Sequence, residues 1–220
     1  MRSIQQAGLL KTAFREMMKG VYTAAPGHVL AFDPDLQRAQ VRVGLQRVSV
    51  NGAVNNPPPI ADVPVFFVGG TQFSVAHQVN QGDEGLILFS QRCVDGWKQT
   101  GGVATNPLAR FHDAHDAFFI PGFRPLPTRI TGFANDGIRL QSRDGSRHVW
   151  IKSSGEIVVD NGAGSIRLLA DGKVVINGAC IINTDGTIEA PNITCDGISF
   201  IDHRHTGVEG GGGTSGGPTN

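Results

Sequence analysis

Closely spaced turn signals are the feature of this 220-residue chain that most limits its fold. Between residues 136 and 197 a dipeptide of Asp, Asn or Ser followed by Gly recurs at intervals of six to eleven residues. The dipeptides begin at Asp136, Asp144, Ser154, Asn161, Asp171, Asn177, Asp185 and Asp196. Such pairs favour tight reversals of the chain because Gly and Asn or Asp tolerate positive φ.

Apolar-x-apolar triplets lie between the turns, and each directs two side chains to one face of a very short strand. The triplets are Ile138/Leu140, Val149/Ile151, Ile157/Val159, Ile166/Leu168, Val174/Ile176 and Ile198/Phe200. One short strand buries little surface, since a fully buried aliphatic side chain contributes roughly 1.5 to 3 kcal/mol. The irregular spacing favours several identical chains intertwined around a shared apolar axis, which also removes exposed strand edges. A single-chain solenoid and an ordinary sandwich remain alternatives.

The first half of the chain differs in composition. Ten of the twelve phenylalanines precede residue 124, whereas seventeen of the thirty glycines follow residue 128. Three prolines in the stretch IPGFRPLP disrupt regular pairing at the join. We therefore expect domains over residues 1–20, 21–127, 128–200 and 201–220.

Residues 1–20 place Ala7, Leu10, Phe14 and Met17 at steps of three and four, which predicts a short amphipathic helix ending near Gly20. The helix either covers the core of its own domain or docks on a neighbouring subunit.

Residues 21–127 contain short apolar or alternating runs separated by turn signals. The runs are HVLAF, AQVRVGLQRVSV, VPVFFV, FSVAHQV, GLILFS and AFFIP. Five or six strands in about 100 residues favour a small barrel of the oligonucleotide/oligosaccharide-binding (OB) kind. The fold class is therefore all-β, with an OB-fold-like barrel, a short N-terminal helix and an intertwined shaft.

Charge and cysteine content exclude several classes. With 19 basic and 19 acidic residues the formal charge is zero. Residues 21–127 show neither a Lys/Arg run nor aromatics interleaved with basic residues, so no nucleic-acid partner is expected. The three cysteines have neither disulfide-framework nor metal-site spacing. We expect neither a signal peptide nor a membrane span.

The sequence IDHRHTGVEGGGGTSGGPTN ends the chain and contains the candidate metal ligands His203 and His205. In an extended segment both imidazoles lie on one side, where they suit iron, zinc, nickel or copper. Two ligands per chain are too few for a closed site, but threefold symmetry would supply six.

Two other kinds of site fit the sequence less well. A zinc hydrolase of the HxHxDH type lacks its Asp-His continuation after His205, and no GxSxG motif is present. A second group with the residue types of a metal cluster contains His112, Asp113, His115 and Asp116. Turn or surface roles are favoured for these residues. We expect no enzymatic activity.

Three stretches resemble the central baseplate spikes of contractile phage tails, of the Mu-type and gpV-like family, and related machines. GDEGLILFSQRCVDGWKQTGG (residues 82–102) and RFHDAHDAFFIPGFRP (residues 110–125) are similar to the family's N-terminal barrel, and residues 201–220 to its apex motif. The resemblance implies a homotrimer with a triple-stranded β-helix shaft. It further implies one iron ion per trimer held by His203 and His205 of all three chains, with other structural ions permitted.

The same resemblance implies a structural role at the tip of the virion's tail baseplate, after synthesis in the host cytoplasm. The partners it implies are a tail hub protein and the host outer membrane, which the spike punctures when the sheath contracts. A trimeric receptor-binding or adhesin fibre remains the main alternative, and a zinc-dependent hydrolase the lesser one.

Overall fold

The structure is a computed structural model that describes residues 2–49 and 52–202. The chain divides into two compact units, Met1–Arg129 and Ile130–Asn220. The described residues are mostly β, with two α-helices and one 3-10 helix. Among them, no helix is both long and apolar enough to span a membrane.

Helix α1 spans Arg2–Met18. It ends where predicted, as the Gly20 amide donates to the Met17 carbonyl at 3.1 Å. The apolar residues Leu10, Phe14 and Met17 are all exposed. The expectation that this helix covers the core of its own domain is therefore not met in the single chain.

The first unit is built on a five-stranded antiparallel sheet with the order β5-β2-β1-β8-β9. The strands of this unit are β1 (Ala24–Asp33), β2 (Arg38–Val43), β3 (Arg47–Val48), β4 (Val54–Asn55), β5 (Ile60–Pro64), β6 (Val68–Gly69), β7 (Ser74–Val75), β8 (Glu84–Phe89) and β9 (Ala117–Pro121). The predicted run AQVRVGLQRVSV divides between β2 and β3, and β3-β4 and β6-β7 form separate two-stranded hairpins. Helix α2 spans Asp95–Thr100, and the 3-10 helix spans Leu126–Thr128.

The two edges of the five-stranded sheet meet. Val65, which follows β5, forms a parallel bridge with Phe119 of β9, and the Phe66 amide donates to the Phe119 carbonyl at 2.9 Å. The sheet thus curls into the predicted OB-fold-like barrel, whose strand pairing leaves the two edge strands in contact. Its core consists of Val29, Ala39, Val41, Ile60, Val63, Val79, Ile87, Phe89, Ala117 and Phe119.

The second unit contains a seven-stranded antiparallel sheet in which consecutive strands pair in chain order. Its strands are β10 (Gly137–Gln141), β11 (His148–Lys152), β12 (Ile157–Asp160), β13 (Ser165–Leu168), β14 (Val174–Ile176), β15 (Cys180–Ile182) and β16 (Ile188–Glu189). Strands β17 (Thr194–Cys195) and β18 (Ile198–Ser199) form a further pair. The predicted turn dipeptides join these strands, and Gly145 and Gly172 have φ of 75° and 90°.

This pairing differs from the intertwining expected from the sequence. Every strand of the seven-stranded sheet pairs with its neighbours in the same chain. The backbone of one chain therefore satisfies most of its own hydrogen bonds here, because the short connections let each strand fold back on the one before. The described residues do not show a β-helix.

Candidate functional site

The cross-strand register of the second unit aligns the predicted triplets on one face of the sheet. Ile138 lies opposite Ile151, which lies opposite Ile157, which in turn lies opposite Leu168. Because alternate residues of a strand share a face, this alignment extends over all seven strands. We call the face the apolar sheet face; its residues are Ile138, Leu140, Val149, Ile151, Ile157, Val159, Ile166, Leu168, Val174, Ile176, Cys180, Ile182 and Ile188.

The apolar sheet face is uncovered in the single chain. Ile138 retains 71% of its accessible surface, and Ile166 and Ile188 retain more than half. A contiguous exposed apolar surface of this extent marks an interaction site, because leaving it in water forgoes the hydrophobic stabilisation of every residue on it. The face is therefore a candidate binding surface of the second unit.

The opposite face of the same sheet carries long charged side chains around Trp150 and the buried Val158 and Val175. Arg139 and Lys152 lie over the ring of Trp150, 4.6 Å and 4.5 Å from its centroid. Glu156 accepts hydrogen bonds from Lys152 Nζ at 2.7 Å and Arg167 Nε at 2.6 Å. These two hydrogen bonds lower the pKa of the Glu156 carboxyl below its usual value. Long side chains thus cover this face from within the chain, whereas no segment between residues 52 and 202 covers the apolar one.

Asp144 holds the turn between β10 and β11. Its Oδ1 accepts hydrogen bonds from Ser142 Oγ at 2.6 Å, Ser146 Oγ at 2.8 Å and the Ser146 amide at 3.1 Å. The Ser142 hydroxyl, followed by the two Ser146 donors, lowers the pKa of Asp144 to about 2. The charged carboxylate is therefore part of the turn at neutral pH.

A buried cluster in the barrel contains the group of His, Cys, Asp or Glu side chains that converges most closely among the described residues: Cys93, Asp95 and Asp116. Arg110 already occupies the centre of this group. Its Nη2 donates to Asp116 Oδ1 at 2.7 Å, Asp95 Oδ2 at 2.8 Å and Cys93 Sγ at 3.2 Å. The pKa of Arg110 is raised, chiefly by its hydrogen bond with Asp116. A guanidinium therefore supplies the positive charge here, and the cluster does not fit a metal ion.

The side chains around His112, which resemble a metal cluster in the sequence, do not converge on one point. His112 has a φ of 48°, and its Nδ1 lies 2.9 Å from the Tyr22 carbonyl oxygen. The exposed His115 pairs instead with Asp113 through Nδ1 and Oδ1, 2.6 Å apart. This arrangement agrees with the turn and surface roles expected from the sequence.

The predicted metal ligands His203 and His205 lie outside the described residues.

Sequence reasoning missed two features. It did not assign Cys180, Ile182 and Ile188 to the apolar set, although Ile182 lies directly opposite Ile188 in a hairpin around the predicted Asp185-Gly186 turn. It also missed the role of Arg110, which no motif marks. The alternation of apolar residues on both sides of the Asp185-Gly186 turn could have assigned these residues to the apolar set.

Two family models match the chain. The phage protein Gp138 N-terminal domain matches residues 25–122, which contain all of the five-stranded sheet except Ala24, and the GpV apex motif matches residues 197–219. No match was found among curated proteins. The barrel and the two matched segments define a phage spike protein.

The matches over residues 25–122 and 197–219 together support a phage central spike protein of the gpV-like kind.

Proposed function

We propose that this chain is the structural central spike of a contractile tail baseplate, which punctures the host outer membrane when the sheath contracts. The observation that supports this most is the order of the two family matches, with a barrel domain at one end of the chain and an apex motif at the other. A spike needs both an attachment domain and a narrow leading end. We assign residues 21–127 to the barrel, 128–200 to the shaft and 201–220 to the apex.

The apolar sheet face supports a trimeric shaft. Three copies that turn these faces toward a common axis would remove them from water together, with the charged faces outward. This assembly gives each chain a whole side of the shaft and needs no exchange of strands within the seven-stranded sheet. Seven strands at about 4.8 Å spacing make a sheet about 30 Å long across its strands.

His203 and His205 would hold a metal at the apex, and the resemblance favours iron. Neutral imidazoles suit this ion, and three copies of the pair would provide six nitrogen ligands. A bound ion would cross-link three chain ends that otherwise fray. The alternative cluster in the barrel is filled by Arg110, which leaves the terminal histidines as the better donor set.

The role is mechanical, and we propose no enzymatic activity. The barrel would attach the spike to a hub protein of the baseplate, at the tip of the virion's tail. A stiff shaft of stacked strands would then transmit the force of the sheath to a small area of membrane.

Light-scattering mass and elemental analysis on one purified sample test the proposal. Three chains of 23.3 kDa give about 70 kDa, and one metal ion is expected for each such particle. A monomeric mass at micromolar concentration would contradict the shared apolar axis. A zinc ion for every chain would instead favour the hydrolase alternative.

A further inference from the structure

Helix α1 has an apolar side that none of the described residues covers. Leu10, Phe14 and Met17 retain 74%, 63% and 73% of their accessible surface, and Ala7 is exposed as well. An isolated helix of about 15 residues is only marginally stable in water. This helix therefore requires a partner along its apolar side.

The spacing of these residues indicates what kind of partner fits. Ala7, Leu10, Phe14 and Met17 follow one another at steps of three, four and three. This is the a/d repeat by which helices pack against equivalent helices, with a mean period of 3.5 residues. Such a stripe runs along one straight side of the helix and matches a copy of itself.

The charges of the helix permit association of identical copies. Arg15, Glu16 and Lys19 occupy the b, c and f positions of the repeat, away from the stripe, and Lys19 Nζ pairs with Glu16 Oε1 at 2.6 Å. The flanking e and g positions between residues 6 and 20 carry a single charge, that of Lys11. Identical helices in parallel therefore bring no row of like charges together along the seam.

The connection to the barrel brings the copies close. Only residues 19–23 separate α1 from β1. In a trimer joined through its shaft, three helices on such short connections have a high effective concentration, so that weak pairing suffices.

We propose that the three α1 helices of the trimer pack in parallel through Ala7, Leu10, Phe14 and Met17, as a helical bundle adjoining the barrels. The inference rests on the proposed trimer. It assigns the apolar side to copies of the same helix, and not to the hub protein.

Oxidative cross-linking of the full chain tests the bundle. In a Cys180→Ala/Cys195→Ser background, Leu10→Cys places a thiol on the seam, and Thr12→Cys places one on the opposite side of the same helix. With copper phenanthroline and air as oxidant, Leu10→Cys should give mainly disulfide-linked dimers on a non-reducing gel. Thr12→Cys should give at least five-fold fewer.

Light scattering on the same samples tests the trimer separately from the helical bundle. A trimer in which Leu10→Cys fails to link, or links no better than Thr12→Cys, overturns the bundle and leaves the proposed spike intact; the helix would then belong to another partner. A monomeric mass for the background protein overturns the trimer itself, and with it the bundle.

Discussion

Arg110 binds both carboxylate oxygens of Asp116, with Nη2 2.7 Å from Oδ1 and Nε 3.0 Å from Oδ2. Asp116 has no exposed surface, and its Oδ1 also accepts the Val94 amide at 3.0 Å. Both residues lie in the segment before β9, and the Val94 amide connects the pair to the loop after β8. Burying a carboxylate is unfavourable unless hydrogen-bond donors pair with it.

Asp116→Ala should destabilise the barrel strongly, because it leaves the Arg110 guanidinium partly buried without its main partner. The expected loss in the free energy of unfolding is about 3 to 5 kcal/mol. Urea denaturation followed by tryptophan fluorescence measures it.

Glu16→Gln is the control for this substitution. It breaks an ion pair of similar length between two exposed side chains, so a change below about 0.5 kcal/mol is expected. Equal effects of the two substitutions would show that burial does not govern the Arg110–Asp116 pair.

Ile166→Lys should prevent or weaken trimer formation, because it places a charge on the apolar sheet face. The matched control is Arg167→Lys, which puts the same side chain at the adjacent position on the opposite face. Sedimentation velocity should show Ile166→Lys shifted toward monomer and Arg167→Lys unchanged. A trimer that tolerates Ile166→Lys would mean that this face lies outside the assembly.

The turn held by Asp144 should weaken in acid. Its pKa is lowered from 3.8 to about 2 in the folded chain, so its charge stabilises the fold fully above pH 3.8. That contribution is lost as the pH falls from about 4 toward 2. Ser142→Ala removes the first of the donors, so the titration midpoint of the Asp144 carboxyl should rise in carbon-detected NMR. An unchanged midpoint would show that the Ser142 hydroxyl does not stabilise the carboxylate.

His203→Ala/His205→Ala should abolish metal binding while the trimer remains, since the apolar sheet face is untouched. In the wild-type chain, acid should release the metal as protons compete for imidazole, whose unperturbed pKa is about 6.5; tight binding moves the release to lower pH. Elemental analysis across a pH series measures both effects. His112→Ala/His115→Ala, the control, should retain the metal, and retention in the first variant would place the site elsewhere.

Particular residues show how much of this protein could be predicted. The triplet Ile157/Val159 and the turn at Asn161-Gly162 were recognisable because strand alternation and positive φ are local properties. The stripe from Ala7 to Met17 predicted α1 for the same reason. Local patterns could not decide whether that stripe is covered, and the structure leaves it exposed.

By itself, the sequence determined the all-β class, the position of most strands and turns, and the composition of the apolar triplets. These depend on the conformational preferences of neighbouring residues and on the two-residue period of a strand. Tertiary structure decided that Phe119 closes the barrel against the segment after β5, that consecutive strands of the seven-stranded sheet pair within one chain, and that Arg110 fills the acidic cluster. Each of these three features depends on strand pairing or burial between groups that only the fold brings together. Local sequence patterns do not record such contacts.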